Sequence, residues 1–191
     1  MYFREGDIML KLDRTVTCCF SGYRPHKFHF ELKQNNRQFI ELENRVTNAV
    51  LEAYSKGYRN FLCGGAMGFD LVCGEIVALL KEKFSDIHLF CFLPFKAQAR
   101  SFPEEWKSRY NFVLSCADDI FYSCEHYTQY AFAARNRAMV DTSSMLITYF
   151  SGREGGTAHT VALAQSLNLE VVNLYESNNQ KYENLTYYIG H

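Results

Sequence analysis

Six short runs rich in β-branched and aromatic residues alternate along this chain with five longer stretches of helical periodicity, and few folds accept that order. The runs are Thr15 to Phe20, Asn60 to Cys63, His88 to Leu93, Asp119 to Ser123, Ser144 to Phe150 and Glu170 to Leu174. The helical stretches are Arg37 to Lys56, Phe69 to Phe84, Pro103 to Cys116, Thr128 to Thr142 and Thr157 to Leu167. In the first of these, Phe39, Leu42, Val46, Val50 and Tyr54 recur every three or four residues, one apolar stripe that covers a sheet face. A strand followed by a crossover helix and another strand builds a parallel sheet. The pattern therefore predicts an α/β fold, doubly wound, with a mainly parallel sheet of about six strands and helices on both faces.

At 191 residues the chain can bury a continuous core without a metal or disulfide. Its 48% hydrophobic and 21% charged residues, with only three prolines, exclude a disordered chain. A single domain is expected over 15–175, with an N-terminal extension over 1–14 and a polar, then aromatic, tail over 176–191. The net charge of -1 disfavours a nucleic-acid partner, which calls for a basic surface. Seven cysteines, an odd number with no CxxC, read as buried thiols of a reducing compartment. The first twelve residues alternate charged and apolar, unlike a signal peptide. No apolar run approaches the roughly 18 residues a membrane span needs. These features predict a cytoplasmic protein with no membrane association. No metal is expected: His26 and His29 form the only close histidine pair, and no carboxylate or cysteine motif accompanies them.

In an open parallel sheet, ligands bind beyond the carboxyl ends of the strands, and glycine clusters fall there three times. After the first strand, Ser21-Gly22-Tyr23-Arg24-Pro25 offers a hydroxyl, a permissive backbone point and a guanidinium able to clamp a phosphate. After the second, Gly64-Gly65-Ala66-Met67-Gly68 leads into a helix whose free amides attract anions. Asp70, in that helix's first turn, either favours the helix dipole or addresses a sugar hydroxyl. After the fifth, Ser151-Gly152-Arg153-Glu154-Gly155-Gly156-Thr157 again opens a helix, which Thr157 can cap. Arg135-Asn136-Arg137 lies on the helix before the fifth strand. Successive helical residues point about 100° apart, so the two arginines cannot share a direction and one reads as solvated surface. Glu125 and His126, after the fourth strand, are spare candidates on the same edge. Trp106, with Phe102 or Tyr110, either stacks on a base or packs at a helix and sheet seam, and packing is the commoner role.

These motifs together resemble the SLOG superfamily of Rossmann-like domains. Cys63-Gly64-Gly65-Ala66-Met67-Gly68-Phe69-Asp70 resembles the S-G-G-A-x-G-x-D stretch of the DNA-processing protein DprA, and Arg135-Asn136-Arg137 its R-N-R. Gly155-Gly156-Thr157 resembles the G-x-G-T loop of LOG-type phosphoribohydrolases. The best overall fit is the YpsA-like family, whose T/S-G-Y-[KR]-P motif matches Ser21-Gly22-Tyr23-Arg24-Pro25, with motif order agreeing from Thr15 to Leu174.

The resemblance implies a sensor-type domain for a nucleotide or ADP-ribose-like ligand, needing no other cofactor and tied to bacterial cell division or stress signalling. Its ligand residues would be Ser21, Gly22, Arg24, Gly64, Gly65, Ala66, Gly68, Asp70, Arg135, Asn136, Arg137, Gly155, Gly156 and Thr157. The alternative is a LOG-type nucleotide N-glycosidase. Arg135 falls at the catalytic arginine of those enzymes, but His159 and Thr160 stand where their two glutamates do, leaving Asp70 or Glu154 as substitute acids. DprA-like single-strand DNA binding is a minor alternative. Apolar helix faces and the relatives in the superfamily also admit a homodimer.

Overall fold

The computed structural model describes residues 12–175. The first eleven residues of the expected extension, and the tail over 176–191, lie outside the described residues. Six parallel strands, β1 (Thr17–Gly22), β2 (Asn60–Cys63), β3 (His88–Leu93), β4 (Asp119–Tyr122), β5 (Met145–Tyr149) and β6 (Glu170–Asn173), form one sheet in the order β4-β3-β2-β1-β5-β6. Five helices connect them: α1 (Arg37–Ser55), α2 (Phe69–Lys81), α3 (Glu104–Cys116), α4 (Ala131–Asp141) and α5 (Gly156–Ser166). This is the expected doubly wound α/β architecture.

Alternation along the strands divides the core in two. Cys18, Phe20, Phe61, Cys63, Leu89, Cys91, Leu93, Met145 and Ile147 join the buried faces of α1, α2 and α3. Cys19, Leu62, Phe90, Phe92 and Leu146 join α4 and α5 through Ala138, Met139, Val161 and Ala164. A sheet covered on both faces needs apolar residues at successive strand positions, which is why its strands read as unbroken apolar runs. The α1 stripe is buried as its spacing predicts, and Asn36 starts the helix by accepting from the amides of Gln38 and Phe39.

Several element ends differ from the sequence pattern, by three residues at most. Strand β1 begins at Thr17 because Arg14–Val16 form a 3-10 turn, held where the Asp13 carboxylate accepts from the amide and hydroxyl of Thr15. It then continues through Ser21 and Gly22, which pair with Thr148 and Tyr149 of β5. Helix α4 begins at Ala131, three residues later than the periodicity suggests.

From β1 the chain winds outward to β4, then crosses back to place β5 on the other side of β1. The helices following β1 and β5 therefore leave toward opposite faces. Their loops part at a topological switch point, the place where open α/β sheets hold ligands.

Candidate functional site

The segment after β1, residues 23–36, is ordered by its own aromatic side chains. Tyr23 is buried, with Phe28, Tyr149 and Phe150 edge-on around its ring, and Phe28 stacks on Tyr149 with ring centroids 4.8 Å apart. The Tyr23 hydroxyl shares a 2.6 Å hydrogen bond with the Ser151 hydroxyl and accepts from the Ser151 amide at 3.0 Å. Burial pushes this phenol up, but the Ser151 hydroxyl and amide, the Arg153 amide and the Lys27 charge bring it below its ordinary value. On the other strand of the switch point, the Thr157 hydroxyl donates to the Gly22 carbonyl at 3.1 Å. The loops after β1 and β5 are thereby stitched together.

The loop after β2 lies deeper. Gly64, Gly65, Ala66, Gly68 and Asp70 are all buried, and only Met67 of the segment 64–70 is partly exposed. Several of their polar groups are engaged by the protein itself. Arg135 donates to the Gly64 carbonyl and Gln98 to the Gly65 carbonyl, while the Phe69 amide, first of α2, donates to the Tyr23 carbonyl at 3.1 Å. Gly68 has φ +98°, and a Cβ there would collide with the Tyr23 carbonyl and stand 3.1 Å from Arg24 Cα. Glycine here lets two loops touch.

Arg135 and Asp70 form a buried ion pair, Nη1 to Oδ2 3.7 Å, with side chains 5% and 7% exposed. Burial pushes the Asp70 carboxyl up, against the guanidinium groups of Arg135 and Arg24 and the backbone amides of Ala66 and Gly22. Burial likewise lowers Arg135, against the Asp70 charge. Of the two arginines in the helix motif, only Arg135 turns inward. Arg137 is exposed and pairs with Asp141 one turn on, at 2.7 Å. Between them, Asn136 accepts from Arg135 Nε at 2.7 Å and donates to the Thr160 hydroxyl at 2.9 Å. Thr160 in turn donates to the Gly156 carbonyl at 3.0 Å. A continuous chain of hydrogen bonds thus runs from the loop after β2, through α4, to the first turn of α5.

One open part of the edge is the loop from Ser151 to Thr157. Gly152, Arg153, Glu154 and Gly156 are exposed. Gly155, and not the expected Thr157, is the N-cap of α5 and brings no side-chain acceptor to the helix's first amides; Thr157 lies inside the helix and spends its hydroxyl on the Gly22 carbonyl. A Cβ added at Gly156 would meet nothing within 4 Å, and its φ lies outside the left-handed range, so neither fold nor backbone requires glycine there. Lys27 reaches over this turn. Its Nζ donates to the Glu154 carbonyl at 3.3 Å and would lie 2.9 Å from a Cβ on Gly155.

The sequence motifs did not include Lys27 or Gln98, and gave Tyr23 and Thr160, which lie within or just past them, no role in holding the loops together. Gln98 sits far along the chain from the loop after β2 and reaches it only in three dimensions. Lys27 alone had a local signal, a cation three residues past Arg24. Trp106 takes its packing role: it is 9% exposed and covered by the Arg109 guanidinium at 4.6 Å, while Phe102 and Tyr110 are buried edge-to-face. Glu125 and His126 are exposed, 3.9 Å apart. Among the described residues no three His, Cys, Asp or Glu side chains gather as a metal site would, and no helix is long and apolar enough to cross a membrane.

Strand order, switch point and glycine-rich strand-to-helix turns define a Rossmann-like domain of the SLOG type. The YpsA family model, described as the YspA SLOG family, matches residues 18–186, and the chain belongs to that family. The chain is similar to the UPF0398 proteins of Bacillus anthracis (strain A0248) and Bacillus thuringiensis (strain Al Hakam), each 23% identical over 158 residues, 81% of this chain and 85% of theirs. Among solved structures, DprA from Streptococcus pneumoniae superposes with a TM-score of 0.61 at 15% identity, over 90% of this chain and 54% of that one. This chain thus spans about half the length of the Streptococcus protein. DprA from Helicobacter pylori, described for its single-stranded DNA binding mode, superposes with the same TM-score and identity over 94% of this chain and 83% of its own. At that identity the likeness is one of fold.

Proposed function

We propose that this protein binds a nucleotide-type small molecule, with a phosphate of the ligand seated on the first turn of α5 between Gly155-Gly156-Thr157 and Lys27. The observation that carries this reading is Gly156. It is a glycine that the chain's own packing does not require, at a helix N-terminus without a side-chain cap, and Lys27 reaches the two residues before it. Amides at a helix start and a nearby cation together favour an anion, and a missing Cβ lets it approach the backbone. Arg24, partly exposed in the loop after β1, is the second cation in reach of the same edge.

In this reading Gly64, Gly65, Ala66 and Gly68 shape the floor of the site. Arg135, Asn136 and Asp70 hold that floor to α5 and leave the ligand to more exposed groups. An N-glycosidase would need an accessible acid. Asp70 is committed to Arg135, which leaves Glu154 as the carboxylate on the open loop.

A thermal-shift series against nucleoside mono- and diphosphates tests the proposal, because a ligand that binds only the folded state raises the midpoint. Wild type should shift, and Gly156→Glu and Lys27→Ala should not. No shift with any nucleotide in wild type rejects the proposal. Release of free base from the same nucleotides would establish the hydrolase instead. A strongly salt-dependent gel shift with single-stranded DNA would favour the function named for the Helicobacter protein.

A further inference from the structure

The carboxyl edge also carries two tyrosines with no structural task to explain their exposure. Five large apolar side chains stand exposed among the described residues. Ile40, Leu79 and Phe112 lie on the outer helices α1, α2 and α3, whereas Tyr127 and Tyr130, 67% and 69% exposed, lie in the loop between β4 and α4. Tyr130 occupies the N-cap of α4 and makes no side-chain cap hydrogen bond. Serine, threonine, aspartate or asparagine there would stabilise the helix, so this tyrosine is held at a cost to the local structure.

Beneath Tyr127 lies a firm base. The Tyr127 ring meets Phe95 edge-on at 5.5 Å, and Phe95 meets Phe132 the same way at 5.8 Å. The Arg24 guanidinium stands 5.8 Å over the Phe132 ring. The cluster is thus continuous with the loop after β1, and through it with Lys27 and the α5 turn.

Resting on the phosphate seat proposed above, we infer that Tyr127 and Tyr130 form a stacking platform for the nucleobase of the ligand. Aromatic faces accept any base by stacking, and a cation at their margin suits the adjoining phosphate. From β5, followed by the phosphate turn, to β3, followed by the loop with Phe95, the sheet order counts three strand spacings, on the order of 14 Å. A second phosphate between sugar and anchored phosphate suits that span, so the ligand class is a nucleoside diphosphate. The single-stranded DNA alternative would need a cationic track, which the net charge of -1 does not favour.

Calorimetric titration with ADP and with pyrophosphate, its counterpart without a base, separates the two parts of the site. Wild type should bind both. The double variant Tyr127→Ala and Tyr130→Ala should lose roughly 5- to 100-fold in ADP affinity, the usual range for one stacked base. It should keep its pyrophosphate affinity and its melting midpoint. Tyr127→Phe with Tyr130→Phe should bind ADP as wild type does, and Lys27→Ala should weaken both ligands. Unchanged ADP affinity in the alanine double variant removes the platform while the phosphate seat stands. Equal loss of ADP and pyrophosphate assigns the tyrosines a structural role and also overturns the platform. If wild type binds neither, the phosphate seat itself fails. If oligo(dT) binds and the alanine variant loses it while keeping ADP, the surface belongs to single-stranded DNA.

Discussion

Replacing Arg135 by methionine keeps the apolar stem of the side chain and removes its hydrogen bonds to the Gly64 carbonyl and Asn136, together with the charge that pairs with Asp70. Both side chains are almost fully enclosed, at 5% and 7% exposure. Deleting one member of such a pair leaves the other buried without its counter-charge, at a cost of about 3–5 kcal/mol. For a chain of this size each kcal/mol moves the midpoint by roughly 2–4 °C, so the variant should melt roughly 6–20 °C lower near neutral pH. The pH dependence follows from Asp70, whose carboxyl burial already pushes up and which Arg135 helps hold down. Without Arg135 that carboxyl rises further. A carboxyl raised on folding binds its proton more tightly in the folded state. Its stabilising contribution is therefore complete below the unfolded value near 3.8 and is lost as pH rises through the folded value. The gap between Arg135→Met and wild type should accordingly be small in acid and widen as pH rises. Urea unfolding followed by the single tryptophan, Trp106, across about pH 4 to 8 reads this directly. Adding Asp70→Asn should recover part of the loss, because the orphaned charge is then gone. A loss below about 1 kcal/mol, or a gap that does not change with pH, would refute the reasoning.

Other expectations follow from the same geometry. Gly68→Ala combines a positive φ with a collision against the Tyr23 carbonyl and should cost about 3–5 kcal/mol in chemical denaturation, whereas Gly156→Ala should leave stability within about 0.5 kcal/mol. If Gly156→Ala also left nucleotide affinity unchanged, the anion seat on α5 would be wrong. Tyr23→Phe removes both hydrogen bonds to Ser151 and should destabilise by about 1–2 kcal/mol, with amide exchange accelerated in the loop after β5. Burial pushes the Cys19 thiol up to about 12 and raises Cys18 and Cys73 as well; a hydrogen bond with Cys63, then burial, raises Cys91, while Cys116 and Cys124 are partly exposed. A thiol reagent at mildly alkaline pH should therefore label at most Cys116 and Cys124 in the native protein and all seven cysteines after unfolding.

What the sequence alone determined is the architecture. Burial on both sheet faces demands apolar strands, and a helix on one sheet face demands a stripe every three or four residues. Both signals are local and both were legible: β2 and β3 fall where their apolar runs lie, and α1 buries Phe39, Leu42, Val46 and Val50. The three glycine-rich turns were legible too, as breaks between strand and helix. Their division of labour was decided only by tertiary contact. Serine and glycine at 21 and 22 extend β1 because β5 lies alongside to pair with them. The glycines after β2 are required by residues that are not their chain neighbours: Arg135 at Gly64, Leu93 at Gly65, and Tyr23 and Arg24 at Gly68. Gly156, by contrast, is left open, and Lys27 is brought to the turn just before it by a contact spanning 127 residues, Lys27 to Glu154. Periodicity reports which face of an element is buried. Only the packed chain decides which polar groups are used up inside it and which remain for a ligand.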